Sequence, residues 1–283
     1  MFDTFKNRLE ITGTLTTVTA LRISKSRSTE PIGSDLPVIK DALGRPLIPG
    51  SSFKGALRSR LESFLRGIDP NLAEDPANYT SSTINNQVKD LKVKYKNDDL
   101  NLTQELSDLT DDIGSLFGTP WMASKFQVRD LTVQPDAWFG QYQERDGVAI
   151  DRDTETAADG KLYDYQVVPA ATPFDFKAVV ENAHDWELGL LMIGLHQFET
   201  EQIPLGGGRS RGLGVVKLKI DKMLWVDVED HPEFLLEYLK KLVMGDETAY
   251  EDAVDYKDEW VQKLIDRLTR KETKLSETQT QAQ

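Results

Sequence analysis

Cysteine is absent from all 283 residues. That excludes disulfides, cysteine-ligated zinc and a thiol nucleophile, and it fits a reducing cytoplasm. Histidine is scarce, with only His184, His196 and His231. No histidine stands in the N-terminal half to serve as a general base, and no His-x-x-x-His pair is present. His196 falls in an apolar run and reads as a core residue, whereas His184 and His231 read as helix starts. No stretch approaches the roughly eighteen apolar residues of a membrane span. Met1 to Lys6 lacks the basic-then-apolar order of a signal peptide, so no membrane partner is expected.

Positive charge is also short: 34 Lys/Arg stand against 47 Asp/Glu, a net of −13. Taken alone, that balance argues against nucleic acid as a partner. Its distribution argues the other way. Residues 1–66 carry 11 basic against 6 acidic side chains, a net of +5, and residues 221–283 carry 9 against 16, a net of −7. One face can attract an anion while another repels it.

What is present reads as alternating strands and helices. Leu9 to Val18 alternates and is rich in β-branched residues, which predicts a strand. Residues 24–50 hold loop chemistry, with a short strand at Pro37 to Lys40. Ser51 or Ser52 can cap a helix carrying Phe53, Leu57, Leu61, Phe64 and Leu65 at helical spacing and ending at Gly67. Residues 68–112 read as a loop with one or two polar helices, and Gly114 to Gly118 as a small apolar turn. Lys125 to Val133 reads as a second strand. Residues 144–184 read as a long β-hairpin with its turn at Ala157 to Gly160, and Phe174 to Val180 as a strand that rejoins the sheet. Trp186 to Phe198 is apolar on most sides and reads as a buried helix. A glycine-rich turn at 206–214 and a strand at Val215 to Ile220 follow. Residues 231–270 read as acidic helices with Phe234, Leu235, Tyr238, Leu239 and Leu242 on one stripe, and the last ten or so residues as disordered. No internal repeat is present. The class is α+β, and the element order suits a ferredoxin-like split βαβ unit with a modified middle.

Two constellations can carry chemistry. The first is the helix start after Gly50. Free N–H groups, Ser51, Ser52 and Lys54 make a phosphate site there. Arg58 lies four residues beyond Lys54 on the same face, and Gly50 and Gly55 allow close approach. The alternative is a capped helix with a solvated basic face. The run lacks the Gly-Lys step of a P-loop. The second is the turn at 206–214. Its five glycines, Gly207 and Gly208 among them, interleave with Arg209 and Arg211. Such a turn can form a nest of N–H groups flanked by guanidinium forks, or a flexible loop. Asp151-Arg152-Asp153 hints at a calcium loop, but Thr156 and Leu162 stand where glycine and glutamate are needed. Trp121, Trp138, Phe139, Tyr142, Tyr163 and Tyr165 cluster around the hairpin, available for base stacking or for core packing.

Together these segments resemble a known family. Residues 31–61 (PIGSDLPVIKDALGRPLIPGSSFKGALRSRL), 147–176 (GVAIDRDTETAADGKLYDYQVVPAATPFDF) and 203–216 (IPLGGGRSRGLGVV) are similar, in order, to the N-terminal signature, thumb hairpin and glycine-rich loop of the RAMP backbone subunits of type III CRISPR effector complexes. The resemblance leaves 68–112 and 221–283 uncovered. It implies a modified RNA-recognition-motif palm over 1–226, with an insertion at about 68–112 and a thumb at about 144–184, followed by an acidic helical segment over 227–283. It implies a cytoplasmic antiviral subunit bound to guide RNA and target RNA, to other effector subunits and to copies of itself. Asp35 stands where cleaving members of the family carry the aspartate for target-RNA endoribonuclease chemistry, with a divalent cation, Mg2+, as cofactor and Asp35 as its ligand. Ser51, Ser52, Lys54 and Arg58 stand where members hold guide phosphates, and Gly207, Gly208, Arg209 and Arg211 lie on the loop against the guide. Two alternatives stay open: a structural backbone subunit with an idle Asp35, and a guide-processing endoribonuclease.

Overall fold

The computed structural model describes residues 4–24, 36–147, 163–228 and 231–281, with side chains as far as Lys271. Nine strands and seven α-helices are described. In chain order they are β1 (Asn7–Thr17), β2 (Leu47–Ile48), α1 (Gly50–Ile68), α2 (Ser82–Lys94), α3 (Asp99–Asp108), α4 (Asp112–Phe117), β3 (Phe126–Val128), β4 (Leu131–Thr132), β5 (Gln143–Gly147), β6 (Tyr163–Val167), β7 (Pro173–Glu181), α5 (Asp185–Glu199), β8 (Val216–Asp227), α6 (Pro232–Met244), β9 (Glu251–Asp252) and α7 (Lys257–Gln281).

The main sheet runs β3-β7-β1-β8-β9, with antiparallel neighbours throughout. α1 lies between β1 and β3 in the chain, and α5 between β7 and β8. That is the α+β order of a split βαβ unit. The period of two explains the layering. Leu9, Ile11 and Leu15 of β1, with Phe174, Phe176, Ala178 and Val180 of β7, are buried on one face. Threonines and charged residues alternate with them on the other. α1 and α5 cover the buried face. Phe53 of α1 stacks on Phe198 of α5 at 4.4 Å and meets Phe176 of β7 at 5.1 Å. Gly194 lets α5 come close to Leu57 and Leu61 of α1, because a Cβ there would press on both side chains.

α5 is apolar on most sides because a second layer covers it. Trp260, Leu264 and Leu268 of α7 are buried at helical spacing, and Gly189 of α5 packs against the Trp260 carbonyl. Trp260 also meets Trp225 of β8 edge-on at 5.4 Å. Residues 227–281 thus extend the sheet through β9 and sheath α5 through α7. No helix among the described residues is long and apolar enough to cross a membrane.

Several elements differ from the sequence reading. α1 starts at Gly50 with Pro49 as its cap residue, so Ser51 and Ser52 sit inside the first turn. Gly67 does not end it; Asp69 does. Pro37 to Lys40 forms isolated bridges rather than a strand. Gly114 to Phe117 belongs to α4, which ends where Gly118, its cap, takes a φ of +87°. Lys125 to Val133 divides into β3 on the main sheet and β4 on β2, because Asp130 turns away to accept the Gly50 amide at 2.8 Å. His196 is exposed rather than buried: α5's apolar cover stops short of that position, and the ring faces Glu199 at 3.3 Å. His184 and His231 do precede α5 and α6. The proposed turn at Ala157 to Gly160 lies outside the described residues.

Candidate nucleic-acid interface

The glycine-rich turn is stitched to the segment that follows β1. The Gly207 amide donates to the Arg22 carbonyl at 2.8 Å, and the Gly214 amide to that of Ala20 at 2.9 Å. Gly206, Gly208, Gly212 and Gly214 all have φ between +73° and +87°, a region that side chains disfavour. A Cβ on Gly206 would collide with the Arg22 carbonyl. The amides of Gly208, Arg209 and Ser210 find no acceptor among the described residues. Arg209 and Arg211 are exposed at the tip. Among the described residues Arg209 donates only to the Gly206 carbonyl, at 3.2 Å, and Arg211 donates to the Tyr163 hydroxyl at 3.0 Å.

The base of the hairpin lies against this turn. β5 and β6 pair with Arg145 opposite Tyr165 and Gly147 opposite Tyr163. Side chains alternate, so Arg145, Tyr163 and Tyr165 share one face, and Glu144, Asp146, Asp164 and Gln166 share the other. Tyr165 is buried with Val167, Ala20 and Leu213, and Leu36 and Tyr163 pack beside them. Arg22 lies over the Tyr165 ring at 4.5 Å, with its Nε on the Ser24 hydroxyl at 3.0 Å.

Leu36 closes the arrangement. It bridges in parallel to Tyr165, and its carbonyl accepts the Gln166 amide at 3.1 Å. The three sequence motifs therefore meet at one place: the segment resuming at Leu36, the hairpin base and the glycine-rich turn. Asp35 itself, with Asp151 and Asp153, lies outside the described residues.

The start of α1 is built differently. The carboxylate of Asp130 occupies the first amide, where the helix dipole favours an anion. Ser51 is exposed and Ser52 half-buried. The Lys54 ammonium turns inward, donating to the Ser124 hydroxyl at 2.6 Å and the Phe126 carbonyl at 3.0 Å. Burial, with Arg58 adding repulsion, pulls its pKa down to about 8. Arg58 pairs with Glu62 at 2.8 Å and reaches the Gly118 carbonyl at 3.1 Å and the Tyr79 hydroxyl at 3.3 Å. Lys54 and Arg58 share a helix face, as their spacing requires, and that face looks toward residues 79–126 rather than toward Arg209 and Arg211.

The aromatic residues separate into groups. Trp121 packs on Tyr79, Trp138 on Tyr142, and Tyr163 on Tyr165, while Phe139 is exposed. Only the last pair belongs to the site. Arg22 and Arg145 are the members that sequence reasoning did not single out. Arg22 lies outside every motif. Arg145 is visible only as the odd-numbered partner in a hairpin whose even positions are acidic. No cluster of three or more His, Asp or Glu suited to a metal is found among the described residues.

Comparison with known proteins agrees with this architecture. Residues 14–217 match the family model of the RAMP superfamily. The chain is 29% identical over 229 residues to the CRISPR system Cms endoribonuclease Csm3 of Methanocaldococcus jannaschii, spanning 78% of this chain and 82% of that protein. It is 25% identical over 219 residues to the protein of the same name from Enterococcus italicus, spanning 77% and 92%. A shorter stretch of 56 residues is 48% identical to the Mycobacterium tuberculosis protein of that name, 19% of this chain and 24% of the relative. The chain belongs to the RAMP superfamily.

Proposed function

We infer that this chain is a guide-RNA-binding backbone subunit of a type III CRISPR effector complex, which positions target RNA for cleavage at Asp35. The observation that carries the reading is the convergence of the Leu36 end, the hairpin base and the arginine-bearing glycine turn. Guanidinium forks beside open amides suit a phosphate backbone, and backbone contacts position RNA while base pairing to the guide supplies sequence. Gly207, Gly208, Arg209 and Arg211 would face the guide, with Ser51 and Ser52 as further donors. Lys54 and Arg58 join them only by exchanging their present protein partners for phosphate oxygens. The named endoribonuclease activity of the relatives supports cleavage. The partners in this reading are guide RNA, target RNA, other effector subunits and further copies of the chain, in the cytoplasm.

A lone aspartate of ordinary acidity is a weak base. The cut would lean on in-line placement of the 2′-hydroxyl next to the scissile phosphate, an effect of orientation. Mg2+ is part of the same proposal. With no preformed cluster among the described residues, a cation at Asp35 would draw most of its ligands from RNA and water.

The test is Asp35→Ala in the assembled complex, with and without a chelator. Loss of target cleavage with guide RNA retained is the expected result. Cleavage that survives at every site sinks the enzymatic reading and leaves a structural subunit. Cleavage by wild type in excess EDTA sinks the metal alone.

A further inference from the structure

Elsewhere among the described residues, most arginines are neutralised. Arg8, Arg45, Arg58, Arg66 and Arg267 each have a carboxylate within 4 Å. Around the hairpin base the pattern reverses. Arg22, Arg145, Arg209 and Arg211 have no carboxylate partner among the described residues, in a chain with 47 acidic side chains. Arg60, Arg129 and Arg270 also lack one among the described residues, but they lie apart, on α1, between β3 and β4, and on α7.

Two of the four are braced by tyrosines on the same face of β6. Stacking on Tyr165 occupies the flat face of the Arg22 guanidinium, and Ser24 takes its Nε. Its two terminal nitrogens find no acceptor among the described residues. Those in-plane N–H groups are the ones that clasp a phosphate bidentately. Tyr163 holds Arg211 by its hydroxyl, one rung, roughly 7 Å, along the strand from Tyr165. Arg145, exposed, stands directly opposite Tyr165 on β5. The even-numbered face of the hairpin bears the exposed Glu144 and Asp146, which repel a polyanion. Three like charges, Arg22, Arg145 and Arg211, meet at one face of the hairpin base, with Arg209 on the adjoining turn, and they repel one another until an anion arrives.

We propose that Arg22 and Arg145 complete, with Arg209 and Arg211, a phosphate clamp for single-stranded RNA at the hairpin base. The strand passes on the tyrosine-bearing face only. The proposal deepens the guide-binding reading and rests on it. It also gives Arg22 a positioning task. Its ring partner, Tyr165, bridges to Leu36, the chain neighbour of Asp35, so RNA held by Arg22 passes beside Leu36.

The full-length chain is titrated with a labelled single-stranded RNA over a range of salt concentrations. The variants are Arg22→Gln, Arg145→Gln and the double variant, with Lys240→Gln, exposed on α6, as control. Each lost contact should flatten the log–log salt slope by about 0.7, so the double variant loses about 1.4. Each single variant should weaken binding on the order of tenfold. Lys240→Gln should leave the slope unchanged. Circular dichroism melts show whether Arg22→Gln still folds; if it does not, exposed Arg145→Gln decides. A wild type that binds RNA, with variants of unchanged slope, overturns the clamp and leaves the guide-binding reading intact. A wild type that binds no RNA overturns both.

Discussion

The Gly207 amide donates to the Arg22 carbonyl at 2.8 Å, and the same carbonyl stands where a Cβ on Gly206 would fall. One carbonyl thus sets the path of the glycine turn. Gly206→Ala must break that contact and adopt a φ of +73° with a side chain. The expected destabilisation is about 1–3 kcal/mol, with RNA affinity falling further because Arg209 and Arg211 are displaced. Gly207→Ala, which has open space in the protein and no positive φ, should leave stability unchanged. Paired melting and binding measurements check this; equal behaviour of the two variants would refute it.

Lys54 makes stability depend on alkaline pH. Its folded pKa of about 8 lies below the ordinary 10.5. Between those values the unfolded chain binds a proton that the folded chain has released. The contribution of this group to stability therefore rises with pH across about 8 to 10.5, is complete above that window and is smallest below it. Urea midpoints of wild type should rise relative to those of Lys54→Met as pH goes from 8 to 10. Parallel profiles would mean a solvated ammonium, free to meet phosphate.

The pair Lys125–Glu187, at 2.6 Å and fully buried, ties β3 to α5. Glu187 also accepts the His184 amide at 2.7 Å. Removing one charge strands the other, so Glu187→Leu and Lys125→Met should each cost about 3–5 kcal/mol. The double variant Lys125→Met/Glu187→Leu should recover much of that loss. Denaturant unfolding of wild type, the two single variants and the double variant forms the double-mutant cycle, and additive losses would contradict the coupling.

Trp260 tests how far residues 227–281 are part of the main core. It is buried between α5 and β8, edge-on to Trp225. Trp260→Ala should lower stability by about 3–5 kcal/mol within a single cooperative transition. A separate low-temperature transition, with the rest unmoved, would show an independent appendage.

Strong periodicity was legible without the fold. The alternation of β1 and β7, the all-round apolarity of α5 and the spacing of Phe53, Leu57 and Leu61 each named the right element. The glycine turn was legible as a turn, since glycines so dense serve positive φ. The role of Lys54 was not. Spacing put it on a face with Arg58, but only packing shows that the face is turned inward. His196 failed for the converse reason, because an apolar neighbourhood in sequence does not say where a helix's cover stops.

The sequence by itself determined the α+β class, the family and the main sheet apart from β9, which lies in a span read as helical, because these follow from local periodicity and from motifs in a fixed order. It could not determine which charges act together. Arg22, Arg145 and Arg211 come from segments up to 189 positions apart, and they meet only because antiparallel pairing and the Arg22–Gly207 bond fold those segments onto one hairpin face. Charge neutralisation is a property of neighbours in space, so the tertiary structure alone decided which arginines are left without a partner.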